Sequence, residues 1–397
     1  MLKVFAPILV LAVLAGCAST PSDSSVSLSY SHKAKLEVKW RERIGEGSGN
    51  AYLRLAPAVQ EDTLYAADID GTVRALSLDS GSSLWSVTLE KPISAGVTLA
   101  GEALLVVTRD GKLRSLKRSD GSENWQAQLS SEAVSPVAAD SERAFVHSVD
   151  GRVTAIELAD GKQAWSYESA MPVLTVRGTS TPLVLEQLVV VGFASGKVVA
   201  LDKTLGIPRW DVRLASPDGR SELERLVDID GHPVLENGLI YAASYHGKVA
   251  ALRQTGEPLW QEDGSSYTSP ELALGNLYLT LEDDTIQAFD ANTGAKVWQQ
   301  PALKGRKLGQ PTALGSYLLV ADNQGYLYVL SQMTGELVNN RLLRPKPLHV
   351  NYPNQSDATQ WREMRNKHMG IRSALLKTEQ GVLVYTNAGD LLLIDVN

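Results

Sequence analysis

The sequence has one cysteine in 397 residues, and this cysteine, Cys17, lies near the N-terminus. A lone cysteine excludes an intramolecular disulfide, so the thiol needs another use in an exported protein. The chain also lacks a basic surplus, because 45 acidic residues against 38 basic residues give a formal net charge of −7. Nucleic-acid binding calls for a basic face, so this balance argues against it.

Recognisable catalytic and metal-binding patterns are missing as well. The six histidines are scattered without the spacing of metal ligands. His147 and His246 stand next to predicted hairpin turns, where polar residues are normal. Residues 68–70 and 228–230 both read Asp-Ile-Asp, but neither pair is followed by the glutamate of an EF-hand-like loop. With no G-x-S-x-G elbow or phosphate-binding glycine loop, the sequence predicts no catalytic residues, no cofactor and no metal.

What the chain does contain is a repeat. Asp70 to Trp85 runs D-G-T-V-R-A-L-S-L-D-S-G-S-S-L-W, and similar stretches return with a period of about 40 residues, as in repeat arrays. In every copy, apolar residues stand two and five positions after the first turn residue. The eight copies start at Gly71, Gly111, Gly151, Gly196, Gly247, Asp284, Gly325 and Gly389.

Local chemistry predicts the structure of each copy. The Asp-Gly pair suits a tight hairpin turn, and the β-branched run after it suits a strand. An upstream strand is preceded in six copies by a proline, which is tolerated where a strand begins. These prolines are Pro57, Pro136, Pro182, Pro233, Pro270 and Pro311. Each copy is therefore predicted to be a four-stranded antiparallel sheet, and a ring of such sheets is an all-β propeller.

The two ends of the chain predict eight blades. The last copy stops at Asn397 after its third strand, and Leu36 to Trp40 is an unpaired strand with its own tryptophan. Joined together, they complete the eighth blade, so residues 36–397 are predicted to close into one ring. The repeat tryptophans are expected to pack between blades, and Asn339 is expected to make the weakest seam because it replaces a tryptophan.

The N-terminus predicts export and lipid attachment. Residues 1–16 form a signal peptide with a short apolar run, and the run ends in Leu14-Ala15-Gly16-Cys17, which resembles the lipobox of bacterial lipoproteins. That resemblance implies acylation of Cys17, and Ala18 after it implies sorting to the periplasmic face of the outer membrane. Residues 17–35 are Ser-rich and are predicted to form a flexible tether. The alternative is a plain secretory signal with a chance cysteine.

Variable length is confined to the connections between blades, of which residues 166–181 and 211–232 are two long neighbouring examples. In an up-and-down blade these connections emerge on the face of the Asp-Gly turns, and insertions on one face favour a binding surface. The first contains Leu174, Val176 and Arg177, and the second contains Asp228 and Asp230. We expect all five to be exposed and to contact a partner protein. The alternatives are local loop packing for the apolar residues and a solvated face for the acids.

A third insertion, Arg341 to Arg372, is basic. It is either a second contact or a disordered loop, and the sequence does not decide between them.

The lipobox, the tether and the tryptophan repeats together resemble the BamB family, the lipoproteins of the outer-membrane β-barrel assembly machinery. The motifs L-x-V-R-G at Leu174 to Gly178 and E-L-E-R-L-V-D-I-D at Glu222 to Asp230 are similar to the family stretches that meet BamA. The resemblance implies a non-catalytic scaffold that binds the periplasmic POTRA domains of BamA and supports insertion of β-barrel proteins. It leaves open which POTRA domain is bound, whether unfolded outer-membrane clients bind directly, and the stoichiometry.

Two other classes remain as alternatives. Quinoprotein (PQQ) dehydrogenases share the tryptophan repeat, but that family stacks its cofactor on a disulfide of adjacent cysteines, which this chain lacks. A propeller that binds peptides or glycans on its own, without an assembly complex, is the second alternative.

Overall fold

The computed structural model describes residues 28, 30, 34–49, 51, 53–175, 178–343 and 370–397. Within these residues the chain forms strands and connecting turns, and none of them builds a helix that is long and apolar enough to cross a membrane. The strands are β1 (Leu36–Arg43), β2 (Ala58–Gln60), β3 (Thr63–Ala67), β4 (Thr72–Ser77), β5 (Ser83–Thr88), β6 (Thr98–Ala100), β7 (Ala103–Thr108), β8 (Lys112–Lys117), β9 (Glu123–Gln128), β10 (Ala138–Ala139), β11 (Arg143–His147), β12 (Arg152–Glu157), β13 (Gln163–Glu168), β14 (Leu183–Val184), β15 (Leu188–Gly192), β16 (Lys197–Asp202), β17 (Pro208–Arg213), β18 (Val234–Glu236), β19 (Leu239–Ala243), β20 (Lys248–Arg253), β21 (Pro258–Asp263), β22 (Glu271–Ala273), β23 (Asn276–Thr280), β24 (Ile286–Asp290), β25 (Lys296–Gln300), β26 (Thr312–Leu314), β27 (Tyr317–Ala321), β28 (Tyr326–Ser331), β29 (Leu337–Leu342), β30 (Leu376–Thr378), β31 (Gly381–Tyr385) and β32 (Asp390–Val396).

These strands make eight four-stranded antiparallel sheets, so the predicted eight-bladed propeller is confirmed. Blades 1 to 7 follow chain order from β2 to β29. Blade 8 has the order β1-β32-β31-β30, because the N-terminal strand pairs with the last strand of the chain. Leu36 lies opposite Val396, and the backbone groups of Lys35 and Asn397 bond to each other beyond the strand ends. The ring is therefore closed by β1, the N-terminal strand that was predicted to complete the eighth blade.

The core lies in the second and third strands of each blade. In β31, for example, all five residues are buried, whereas the outer strand β5 alternates between exposed and partly buried residues. A strand packed on both faces by neighbouring blades must be apolar throughout, while an outer strand meets water on alternate positions. The short first strands of neighbouring blades contact one another around the axis and line a central channel.

At seven of the eight seams between neighbouring blades, a tryptophan of one blade packs against the next. The indole N–H of Trp125 in β9 donates to the carbonyl of Leu158 in blade 3 at 2.8 Å. The indole ring also covers Gly161, where an added Cβ would lie 2.7 Å from Trp125 Cε3. The same pairing of an indole donor with a carbonyl of the following blade recurs as Trp40–Leu78, Trp85–Arg118, Trp165–Lys203, Trp210–Gln254, Trp260–Ala291 and Trp298–Gln332. The predicted packing of tryptophans between blades is therefore present in the structure.

The eighth seam, between blades 7 and 8, uses Asn339 in place of tryptophan. Its amide Nδ2 donates to the carbonyl of Ala34 at 2.7 Å. This seam therefore keeps a hydrogen bond between the blades but lacks the packing of an indole ring. Arg341 adds a second donor, to the carbonyl of Leu36. The lower stability expected for this seam stays a prediction, and these two bonds partly offset the lost aromatic contact.

The segment predicted as tether touches the propeller before the ring begins. Leu28 and Tyr30 pack against the core cluster shared by blades 6 and 7, and Ala34 is buried. Asn340 Nδ2 donates to the hydroxyl of Tyr30. The prediction of a tether that stays free up to residue 35 is therefore wrong at these positions, because their apolar surface is packed. Cys17 and the signal peptide lie outside the described residues.

Candidate partner-binding face and channel mouth

The inter-blade connections surround one end of the central channel, which widens there into a cavity of about 590 Å³. The residues that line it come mostly from the starts of the first strands or just before them, so they share one face with the insertions. They are Arg54, Ala56, Val134, Ser135, Pro136, Gly178, Thr179, Thr181, Asp230, His232, Val234, Tyr267, Ser269, Pro270, Glu271, Gln310 and Ala374. The cavity and the insertions thus occupy the same end of the ring.

The first insertion presents apolar side chains to solvent. Val173 is 89% exposed and Leu174 is 42% exposed, and Met171 is also exposed. Leu174 therefore lies at the surface, as expected. Val176 and Arg177 lie outside the described residues, so their predicted exposure stays a prediction.

The second insertion begins with a short turn that is held by its own polar groups. The Glu224 carboxylate accepts the backbone N–H of Arg220 at 2.6 Å, and Arg225 pairs with Glu222 at 3.5 Å. Leu223 in this turn is exposed. The exposed apolar side chains of the two insertions favour a protein-binding patch, because exposed apolar patches commonly mark interaction sites.

The predicted exposure of Asp228 and Asp230 is wrong. Asp228 is 2% exposed and Asp230 is 6% exposed, and Ile229 between them is fully buried. The backbone enters the ring here, because the carbonyl of Asp228 accepts the N–H of Tyr245 at 2.8 Å. The Asp228 carboxylate also accepts the N–H of Ile229 at 2.8 Å. The two aspartates lie beneath the insertion face.

Gly178 and Asp230 bring the two insertions together. A Cβ on Gly178 would lie 2.2 Å from Asp230 Oδ1, so no larger residue fits without displacing the carboxylate. Ser180, just beyond, donates its hydroxyl to the carbonyl of Gly231 at 3.0 Å. The two motifs therefore meet where Gly178, the last residue of L-x-V-R-G, packs against Asp230, the last residue of D-I-D.

Two histidines that appeared unremarkable in the sequence help to hold this junction. His147 Nδ1 donates to the carbonyl of Ser180 at 3.1 Å, and His232 Nδ1 donates to the carbonyl of Thr181 at 2.8 Å. Burial lowers the pKa of His147 to about 4 and also lowers the pKa of His232. Both rings are therefore neutral donors at neutral pH. His147 stands at a strand end, as expected, but nothing in its local sequence marks this contact.

Of the two carboxylates that line the cavity, Asp230 is the more deeply buried. Its Oδ1 has no hydrogen-bond partner among the described residues. Burial raises the pKa of Asp230 from 3.8 to about 6, and the nearby Arg54 guanidinium limits the rise. Burial likewise raises the pKa of Glu271 in the same cavity. Arg54 itself donates to the carbonyl of Tyr267 at 3.3 Å. The sequence did not indicate Arg54, which precedes the first blade, or Tyr267 and Glu271, which lie at the start of the sixth.

Asp230 is expected to make the stability depend on pH. The folded carboxyl holds its proton more tightly than the unfolded one, so this contribution is greatest at low pH and is lost as pH rises through about 6. Lowering the pH from about 7.5 to about 5 should raise the unfolding free energy of the wild type over that of Asp230→Asn by about 1 kcal/mol.

Urea unfolding of both proteins at the two pH values measures this difference. His232 and Glu271 face the same cavity in both proteins, so their contributions to the pH dependence largely cancel. An unchanged difference between the two pH values would contradict the assignment.

The fold and this face define a class: a tryptophan-docked β-propeller with long inter-blade insertions at one channel mouth. A family model described as outer membrane protein assembly factor BamB matches residues 69–300 and 282–357. An outer membrane protein assembly factor BamB from Pseudomonas aeruginosa is 49% identical over 81% of this chain and 86% of that protein. The chain belongs to the BamB family of outer membrane protein assembly factors.

Further comparisons agree with this membership. BamB from Escherichia coli is 34% identical over 75% of this chain and 79% of that protein. The crystal structure of BamB from Moraxella catarrhalis, 25% identical, has a TM-score of 0.79 and covers 91% of this chain and 100% of that chain. A quinohemoprotein alcohol dehydrogenase from Pseudomonas putida HK5 has a TM-score of 0.65 at 11% identity, covering 91% of this chain and 76% of that one, and shares the fold alone.

Proposed function

We propose that this protein is a non-catalytic scaffold lipoprotein that binds the periplasmic POTRA domains of BamA and supports the insertion of β-barrel proteins into the outer membrane. The observation that carries the contact is the exposed apolar surface of Val173, Leu174 and Leu223 on two insertions that meet at Gly178 and Asp230. Val176 and Arg177 complete the contact surface. Exposed apolar anchors ringed by charge provide both affinity and partner choice.

Asp228 and Asp230 have a different role in this proposal. Both are buried, so they position the two insertions and do not supply the contact atoms. Loss of either carboxylate should weaken partner binding by moving the L-x-V-R-G segment. In this proposal the L-x-V-R-G segment supplies the contact with the partner, and Asp228 and Asp230 hold that segment in place.

The electrostatics of the channel mouth favour a scaffold over a quinoprotein dehydrogenase. Among the described residues that line the cavity there are two carboxylates, Asp230 and Glu271, and one guanidinium, that of Arg54, while His232 is neutral. A polycarboxylate quinone would meet more negative than positive charge there. In addition, among the residues that the structure describes, no three His, Cys, Asp or Glu side chains are grouped as a metal site would require. A titration of the purified protein with the quinone and calcium tests the enzyme alternative directly, and binding would support it.

Affinity purification of the protein from detergent-solubilised outer membranes tests the scaffold role. We expect BamA to co-purify at a fixed ratio, since the proposed contact is a specific surface. Mass spectrometry of the captured chains identifies the partners, and unfolded clients bound directly would appear after crosslinking. Recovery of the protein without BamA would contradict the proposal.

Lipid attachment at Cys17 is tested by Cys17→Ser. We expect this variant to fold normally but to fractionate with the soluble periplasm, because two or more acyl chains are needed for stable membrane attachment. The measurement is sedimentation of outer membranes from cells that lack BamA, which removes retention through the partner. If the serine variant still sediments with these membranes, the anchor is not at Cys17.

A further inference from the structure

The channel mouth contains a buried carboxylate, that of Asp230, with one oxygen to which no described residue donates a hydrogen bond. Asp230 is 6% exposed and lines the cavity of about 590 Å³, and its Oδ1 has no hydrogen bond among the described residues. A buried carboxylate without hydrogen bonds costs free energy, so such a group points to a ligand. The proposed BamA contact does not use this atom.

The charges of the cavity select the sign of that ligand. Glu271, the second carboxylate, accepts the backbone N–H of Ala313 at 2.9 Å through Oε1. Among the described residues that line the cavity, Arg54 is the one cation, and it donates to the carbonyl of Tyr267. The cavity is therefore short of one positive charge when both carboxylates are ionised. An anion is disfavoured, and a monovalent cation that donates hydrogen bonds is favoured.

The size and lining of the cavity indicate what carries this cation. Ligand pockets span about 300 to 1,000 Å³, so this cavity has room for more than one side chain. Ser135, Thr179, Thr181 and Gln310 also line it and offer donors and acceptors to a main chain. We propose that the channel mouth binds a basic side chain, a guanidinium or a primary ammonium, carried by an extended peptide, with Asp230 and Glu271 accepting its hydrogen bonds.

Calorimetric titration of the full mature protein in detergent at pH about 7.5 tests this site. The probe is the peptide acetyl-Gly-Arg-Gly-amide, and its control is the same peptide with citrulline, which keeps the shape of arginine and removes the charge. We expect the arginine peptide to bind at least about tenfold more tightly, because the citrulline peptide leaves the buried carboxylates without a cationic partner. Equal affinity for the two peptides, or no binding of the arginine peptide at millimolar concentration, would overturn the proposal.

Three charge-neutralising variants identify the residues. Asp230→Asn and Glu271→Gln should each weaken binding of the arginine peptide by about tenfold or more, whereas Arg54→Gln should strengthen it because a competing cation is removed. Asp263→Asn, on the exposed outer strand β21, should bind like the wild type. A charge-dependent site elsewhere would leave Asp230→Asn and Arg54→Gln unchanged, and that result overturns the assignment.

Peptide binding is separable from the scaffold role. The titration uses no BamA, so its outcome does not depend on the proposed partner. If the arginine peptide binds and BamA capture fails, the channel site stands without the scaffold. Thermal unfolding of each variant guards against a folding defect, and Arg54→Gln keeps the test decisive if Asp230→Asn fails to fold.

Discussion

Trp125→Ala is expected to lower the free energy of unfolding by about 3–5 kcal/mol, as large aromatic truncations in packed sites do. The change removes the indole ring from Gly161 and the hydrogen bond to the Leu158 carbonyl at 2.8 Å. Trp125→Phe keeps most of the ring and should lose about 1 kcal/mol, the typical value of one hydrogen bond. Urea unfolding followed by circular dichroism measures both. If Trp125→Ala unfolds with the wild type, the tryptophans do not join the blades.

The glycine beneath the ring provides the matched control. Gly161 has φ 76° and Gly101 has φ 59°, so alanine is strained at both positions. A Cβ at Gly161 meets Trp125, whereas a Cβ at Gly101 meets nothing within 4 Å. Gly161→Ala should therefore cost clearly more than Gly101→Ala. Equal losses would show that backbone strain alone, and not the indole contact, makes glycine necessary here.

The blades were predictable because their determinants are local. A turn glycine, an apolar run and a tryptophan recur in each copy, and each acts on its own blade or the next. Ring closure followed from Leu36 to Trp40, a strand without a partner in its own copy. The packing of Leu28 and Tyr30 on blades 6 and 7 was not predictable, because a Ser-rich segment with few large apolar residues does not show which surface covers them.

The face of the insertions was predictable, but the burial of single residues was not. Leu174 is exposed as its loop position indicates. Asp228 and Asp230 alternate with Ile229, a pattern typical of a solvated edge, yet this segment turns inward and pairs with Tyr245. Arg54 precedes the first blade and meets Asp230 only through ring closure, whereas Glu271 reaches the same cavity from the next blade along the chain. Contacts between distant repeats leave no mark in a single sequence.

Leu174→Glu combined with Arg177→Glu is expected to abolish capture of BamA. The double change places charge in the apolar patch beside Val173 and reverses the proposed cation, and substitutions at the centre of an interface commonly cost about 2 kcal/mol or more. Capture of the purified BamA periplasmic domains on beads measures the loss, which should be about thirtyfold or more. The unfolding free energy should stay within about 0.5 kcal/mol of the wild type, since Leu174 lies at the surface.

Two sets of controls separate contact from support. Leu84→Glu and Asp79→Lys change exposed residues away from the insertions, so both capture and stability should remain at wild-type level. Asp230→Lys places a cation in a buried site beside Arg54, so it should lose about 3–5 kcal/mol of stability and lose capture together with the fold.

If the Leu174 and Arg177 double variant captures BamA normally, the contact surface lies elsewhere on the ring. If Asp230→Lys instead loses capture at full stability, the aspartate contacts the partner directly and its assigned supporting role is wrong.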